Sequence, residues 1–288
     1  MAGATIPRGR GETQSQLTLA TYLAPIVRPL YDLVAGAVAD ALGTEVEVAQ
    51  RADYSDLAAH RDDLAFVCGL PYVEVVDGMV AALTPIAAPV LDGSRYGGRA
   101  VYFSDVIVAA SSPATCFADL RGARWAYNER GSHSGYLVVL HRLATSGEDS
   151  GFFRAWVDAG FHQRAIRLVG AGEVDATAVD SQVLAIALDE DPTLAKRIRV
   201  IDTLGPSTIQ PLVAGERVSH ATQRAIRDVV LALGAHPEER RVMSAMHVER
   251  FIAVEDADYD DIRGMLAKVE MAGLWSAPRP AGLQAIID

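Results

Sequence analysis

Two widely separated segments follow one grammar, and that grammar limits the chain to few folds. DDLAFVCGLPYVEV (62–75) and GEVDATAVDSQVLA (172–185) share an order of parts. Each runs from an acidic turn through a buried strand of small residues into a polar or glycine turn, then a helix. A strand that feeds a helix must pack beside others like it, which implies a parallel sheet covered by helices. Identity between the two copies is low and there is no third, so they read as matching parts of two α/β halves rather than a solenoid.

The flanking sequence fills in both halves. LTLATYL (17–23) reads as a buried strand. RPLYDLVAGAVADALG (28–43) places Leu30, Leu33, Val34, Ala37, Val38 and Leu42 at helical spacing, with Gly43 as the stop. TEVEVAQ (44–50) alternates as a strand does, SDLAAHRDD opens as a short helix capped by Ser55, and LAFVCG is again a strand. In the second half DVIVAA, ARWAYNE and EVDATAVDS read as strands, GYLVVLHRLATSG and HQRAIRLVGAG as helices. Beyond RVIDTLGPSTIQPLVA (199–214) the pattern turns helical, in SHATQRAIRDVVLALGA, PEERRVMSAM and DADYDDIRGMLAKVEMAG. The simplest assembly is an α/β protein of two lobes. Residues 1–16 are a flexible tail, 17–103 with 205–288 form the first lobe, and 104–204 form the second. The chain crosses near 102–105 and 201–206. Ligands of such sheets bind outside the carboxyl ends of the strands, so facing lobes make a cleft lined by helix N-termini.

Composition excludes several functions. A net charge of −11 with no basic stripe disfavours nucleic acid and anionic membranes as partners. No run of about 18 apolar residues is present, so membrane insertion is not expected. The N-terminal MAGATIPRGRGETQSQ lacks an apolar secretory core, and the chain as written reads as cytoplasmic. Cys68 and Cys116 lie far apart; Cys68, in LAFVCG, reads as a buried thiol, and no disulfide framework is indicated. No metal-ligand spacing, cofactor fingerprint, GxSxG, HExxH or GxxxxGK[ST] motif occurs, so no catalytic residue, metal or cofactor is assigned. The acidic DADYDDIR (256–263) fits helix capping by Asp258 better than calcium ligation.

Three loop-to-helix junctions would face the cleft. Ser132-His133-Ser134-Gly135 precedes an apolar helix. The serines serve equally as caps or as donors to an anion, and Gly135 lets backbone approach a bulky group. His162 sits at the start of a helix, where a lone histidine is commonly mere surface or core. Asp53-Tyr54-Ser55 precedes the short helix, and a tyrosine beside a cap is commonplace.

These residues carry a family likeness over roughly residues 17–265. DYSDLAAHRDDLAFVCGLPYVEVVDG, GSHSGYLV, GFHQRAIRLVGAGEVDATAVDS and RVIDTLGPSTIQPLV occur in order and spacing. The chain resembles the solute-binding proteins of phosphonate/phosphite/phosphate ABC transporters, which have the two-lobed type II periplasmic-binding-protein fold, each lobe a mixed sheet flanked by helices. The likeness implies a periplasmic location, a small oxyanion ligand and a transporter permease as partner. It further implies ligand contacts at Tyr54, Tyr102, Ser132, His133, Ser134, Gly135 and His162, with Asp180, Gln182 and Gln210 completing the expected ligand-binding set. His133 stands where the family keeps a threonine. Gln182 and Gln210 stand where binders of aminoalkyl ligands keep acids, beside a retained Asp180. A cytosolic enzyme or sensor on the same fold is the alternative, motivated by the missing secretory signal and the paired histidines.

Overall fold

The computed structural model describes residues 16–51, 54–59 and 61–275. The expected alternation appears as β1 (Leu17–Thr21), α1 (Arg28–Leu42), β2 (Val46–Gln50), α2 (Ser55–Ala58), β3 (Leu64–Phe66) and α3 (Gly69–Asp77). Next come β4 (Leu83–Leu91), β5 (Val101–Ala109), β6 (Arg124–Tyr127), α4 (Val138–Thr145), β7 (Ala155–Asp158), α5 (His162–Gly170), β8 (Ala176–Asp180) and α6 (Ser181–Glu190). The chain closes with β9 (Ile198–Thr208), β10 (Leu212–Gly215), α7 (His220–Leu231), α8 (Pro237–Ala245), β11 (Val248–Ile252) and α9 (Asp260–Met271).

Two sheets result, in the orders β11-β4-β10-β3-β1-β2 and β7-β6-β8-β5-β9. β1 runs parallel to β2 and β3, and β6 runs parallel to β7 and β8, as the strand–helix alternation requires. Antiparallel strands complete both sheets. β4 and β11 were not apparent from the sequence. LTPIAAPVL has no alternation because it is buried at seven successive positions, and VERFI lies between helices. The two crossings run side by side: β5 and β9 pair antiparallel from Val101 opposite Thr208 to Ala109 opposite Ile198.

α1 ends where expected, because Gly43 adopts φ 62°, a left-handed conformation that costs glycine nothing. Its buried face, Leu30, Tyr31, Val34, Ala35 and Val38, packs on the first sheet. The second sheet has an aromatic core. Trp125 stacks on Phe153 at 4.6 Å, and Phe117 stacks on Phe152 at 5.5 Å. The network continues through Trp156 to Tyr136, whose ring lies 5.1 Å from Tyr127 and 5.7 Å from Trp156. Such pairs add about 0.5–1.5 kcal/mol each beyond burial. They anchor Tyr136, and with it the loop just before it.

Both cysteines are free, Cys68 buried and Cys116 exposed. Asp258 accepts the Glu255 amide at 2.7 Å as one half of a capping box, and no metal-holding acidic or histidine cluster exists among the described residues. Asp53 and His60 lie outside the described residues.

Candidate oxyanion cleft

A small cavity opens where the carboxyl ends of β1, β3, β6, β7 and β8 meet. Tyr22, Leu23, Val27 and Tyr31 wall it from the first sheet. Asn128, Glu129, Ser132, Ser134, Phe161, His162, Asp180, Gln182 and Val183 wall it from the second, with Cys68 and Gln210 between. Its volume is about 60 Å³. One water needs about 10–15 Å³ by the same measure. The space suits a small oxyanion group. Among the described residues, no lysine or arginine lines it.

The loop before α4 opens as a π turn over His133–Leu137. Ser132 caps it, its hydroxyl oxygen accepting the Gly135 amide at 3.0 Å and leaving its own hydrogen to donate elsewhere. Ser134 Oγ lies 3.0 Å from His162 Nε2. Burial pushes the His162 pKa down to about 4, so the ring is neutral. Gly135 is packed tightly: a Cβ there would lie 1.9 Å from Asn128 Oδ1 and 3.3 Å from His162 Cε1. Gly135→Ala is expected to cost about 1–3 kcal/mol through overpacking. Urea unfolding measures this, and an unchanged midpoint would show that Asn128 swings away freely.

Of the sequence-derived residues, Ser132, Ser134, His162, Asp180, Gln182 and Gln210 share this one cavity. Tyr54, Tyr102, Gly135 and His133 sit behind its walls. Tyr54 stacks on Tyr22 at 4.6 Å. The Tyr54 and Tyr102 hydroxyls are buried beside the Cys68 backbone and the Ser134 hydroxyl without a well-formed hydrogen bond among the described residues, and burial raises both pKa values well above the usual phenol range. His133 turns away from the cavity. Its Nε2 is 2.7 Å from Ser207 Oγ on β9, and its amide donates to Cys68 Sγ at 3.4 Å. Full burial, with a smaller push from His141, lowers its pKa to about 3. The two glutamines bond across the cleft. Gln182 Nε2 donates to the Met246 carbonyl and Gln210 Nε2 to Asp180 Oδ2, both at 2.7 Å. Asp180 also caps α6, accepting the Gln182 and Val183 amides. Burial lifts its pKa to about 6 against those bonds.

Sequence reasoning missed Tyr22, Tyr31, Asn128, Glu129 and Phe161. Asn128 and Glu129 stand at the carboxyl end of β6, immediately before the serine loop, a position that alone marks them as cleft residues. Tyr22 follows β1 in the same way.

Comparison with known proteins fits this geometry. The family model for the periplasmic substrate-binding protein of phosphonate ABC transporters matches residues 19–259. The phosphonates-binding periplasmic protein of Escherichia coli is 27% identical over 247 residues, covering 82% of this chain and 70% of that protein. A binding-protein component of an ABC phosphonate transporter from Pseudomonas aeruginosa superposes with TM-score 0.80 at 19% identity, over 91% of this chain and 88% of that one. A Prochlorococcus marinus protein in complex with methylphosphonate gives TM-score 0.74 at 18% identity, over 90% and 99%. The architecture is a type II periplasmic-binding-protein fold.

Proposed function

Since the chain belongs to the periplasmic substrate-binding family of phosphonate ABC transporters, we propose that it clamps a small phosphonate-like oxyanion in the cavity between its two sheets and presents it to a transporter permease. The observation that supports this best is a pocket of neutral hydrogen-bond donors at the carboxyl ends of the strands. Behind its walls, the Tyr54 and Tyr102 hydroxyls are buried without a well-formed hydrogen bond among the described residues. Native proteins leave few such atoms unsatisfied, and each costs about 1–3 kcal/mol.

His162 and Ser134 act as a relay in this scheme. With its proton on Nε2, His162 donates to Ser134 Oγ, and the Ser134 hydrogen is free to point at the oxyanion. Chained donors polarise one another, so a neutral imidazole strengthens the serine without adding charge. Ser132 gives a second hydroxyl hydrogen. Tyr54 and Tyr102 reach the ligand after a small closing motion of the lobes. Gln182, Gln210, Asp180 and His133 hold the two lobes together around it.

Thermal unfolding with phosphate, phosphite and methylphosphonate tests the proposal. A ligand at about 100 times its dissociation constant adds about 2.7 kcal/mol. For a chain of this size that is a rise of roughly 4–5 °C in Tm. A flat response to all three anions sinks the assignment.

A further inference from the structure

The cavity also carries acceptors among its donors, two of them carboxylates. Of the two carboxylates lining it, Asp180 is occupied: Oδ1 takes the Gln182 and Val183 amides, and Oδ2 takes Gln210. Glu129 has no hydrogen-bond or ion-pair partner for its carboxylate among the described residues, although it lines the same space. Its neighbours do not neutralise it. Arg130 lies over the Tyr136 ring instead, and Asp158 on the adjacent strand adds a second negative charge. Burial, then Asp158, lifts the Glu129 pKa to about 7, consistent with a carboxyl group short of donors. Glu129 belongs to the turn that carries the serines, since its carbonyl accepts the Ser132 amide at 3.2 Å.

We infer that Glu129 is a specificity-determining residue that accepts a hydrogen bond from the bound ligand, so that the cleft favours oxyanions still carrying a hydrogen, such as a monoprotonated phosphonate, over sulfonates. A sulfonate head presents three acceptor oxygens and holds no proton near neutral pH. It satisfies Ser132 and Ser134 as well as a phosphonate does. However, it either sets oxygen against oxygen at an ionised Glu129 or requires Glu129 to take up a proton, which costs affinity once the pH is above the raised Glu129 pKa of about 7. A phosphonate monoanion brings a P–OH and meets both demands. Sites with a fixed acceptor reject ligands that lack the matching donor far more strongly than sites that differ by a methyl group. The inference rests on the oxyanion proposal above and adds to it the basis of selection.

Calorimetric titration of the intact chain at about pH 8.5, where Glu129 is ionised, with methylphosphonate, methanesulfonate and aminomethylphosphonate tests it, comparing wild type with Glu129→Gln and Glu129→Ala. The wild type is expected to favour methylphosphonate over methanesulfonate at least about tenfold. Glu129→Gln should collapse that ratio about tenfold, mainly through a gain for methanesulfonate, because the amide can donate to it. Glu129→Ala should show a smaller gain, having lost the charge without acquiring a donor. A loss confined to aminomethylphosphonate would place the donated hydrogen on the substituent instead of the head group. Unchanged affinities for all three ligands in both variants, with circular dichroism intact, overturn the inference alone. Failure of the wild type to bind any of them overturns it together with the oxyanion proposal.

Discussion

Replacing Ser132 and Ser134 together by alanine is expected to weaken methylphosphonate binding at least about 100-fold while leaving the fold intact. Hydrogen bonds to a charged partner are worth about 1.5–3 kcal/mol each. Two lost together amount to about 3–6 kcal/mol, and every 1.4 kcal/mol is tenfold. The two positions differ in what else they do. Ser132 also caps the turn by accepting the Gly135 amide, so its alanine variant should lose about 1 kcal/mol of stability as well. Ser134 Oγ meets His162 Nε2 and lies beside the Tyr102 hydroxyl but caps no helix, so Ser134→Ala should lose affinity with a smaller change in Tm of the free protein than Ser132→Ala. Titration calorimetry on the single and double variants separates these effects. Retained affinity in the double variant would mean that the serines only cap the helix, and the oxyanion assignment would then have no grip in the second lobe.

The cleft was legible where local sequence dictates local geometry. Serine and glycine ahead of an apolar run had to form a helix start, and a strand–helix alternation had to place that start at a sheet edge facing its counterpart. Those two facts lead to Ser132, Ser134 and His162 without any tertiary information. They do not fix side-chain direction. His133 lies between two cavity-lining serines, yet the π turn rotates it toward Ser207 on β9, a partner far away in sequence. Gln182 and Gln210 show the same limit. Both reach the cavity, but their amide nitrogens are bonded to Met246 and Asp180 by the docking of one sheet on the other. Glu129 was passed over for a different reason. A charged residue in a loop ordinarily reads as solvated, and only the packed cleft reveals that Glu129 lines the cavity with no hydrogen-bond or ion-pair partner for its carboxylate among the described residues. The antiparallel strands β4 and β11 were hidden because full burial, or brevity between helices, erases the alternation that marks a strand.

His133→Gln should protect the protein against acid by about 3–4 kcal/mol between pH 7 and pH 3.5, as a change in the stability difference from wild type. The folded protein holds His133 neutral down to about pH 3, whereas an unfolded chain protonates it near 6.5. Below pH 6.5 the unfolded state therefore binds one more proton, and stability falls by about 1.4 kcal/mol per unit until the folded pKa is reached. His162 adds the same slope down to about pH 4. Two groups act oppositely. Glu129 and Asp180 have folded pKa values raised to about 7 and about 6, so they bind protons more readily when folded and gain stability as pH falls toward their unfolded values near 4. The two pairs nearly cancel between about pH 4.5 and 6, which predicts a flat stability profile there. Below about 4.5 the carboxyl groups are protonated in both states and the histidines act unopposed, so the wild type should lose stability steeply. Glutamine keeps an amide donor within reach of Ser207 but does not titrate. Arginine-paired carboxylates such as Asp175, held low by its bonds to Arg124, contribute equally to both proteins and drop out of the difference. Urea unfolding of both at pH 7, 5 and 3.5 gives the result directly. Parallel acid limbs would mean that the imidazole is protonated in place, and with a charge-ready His133 the loop would regain the cationic donor that its burial against Ser207 denies it.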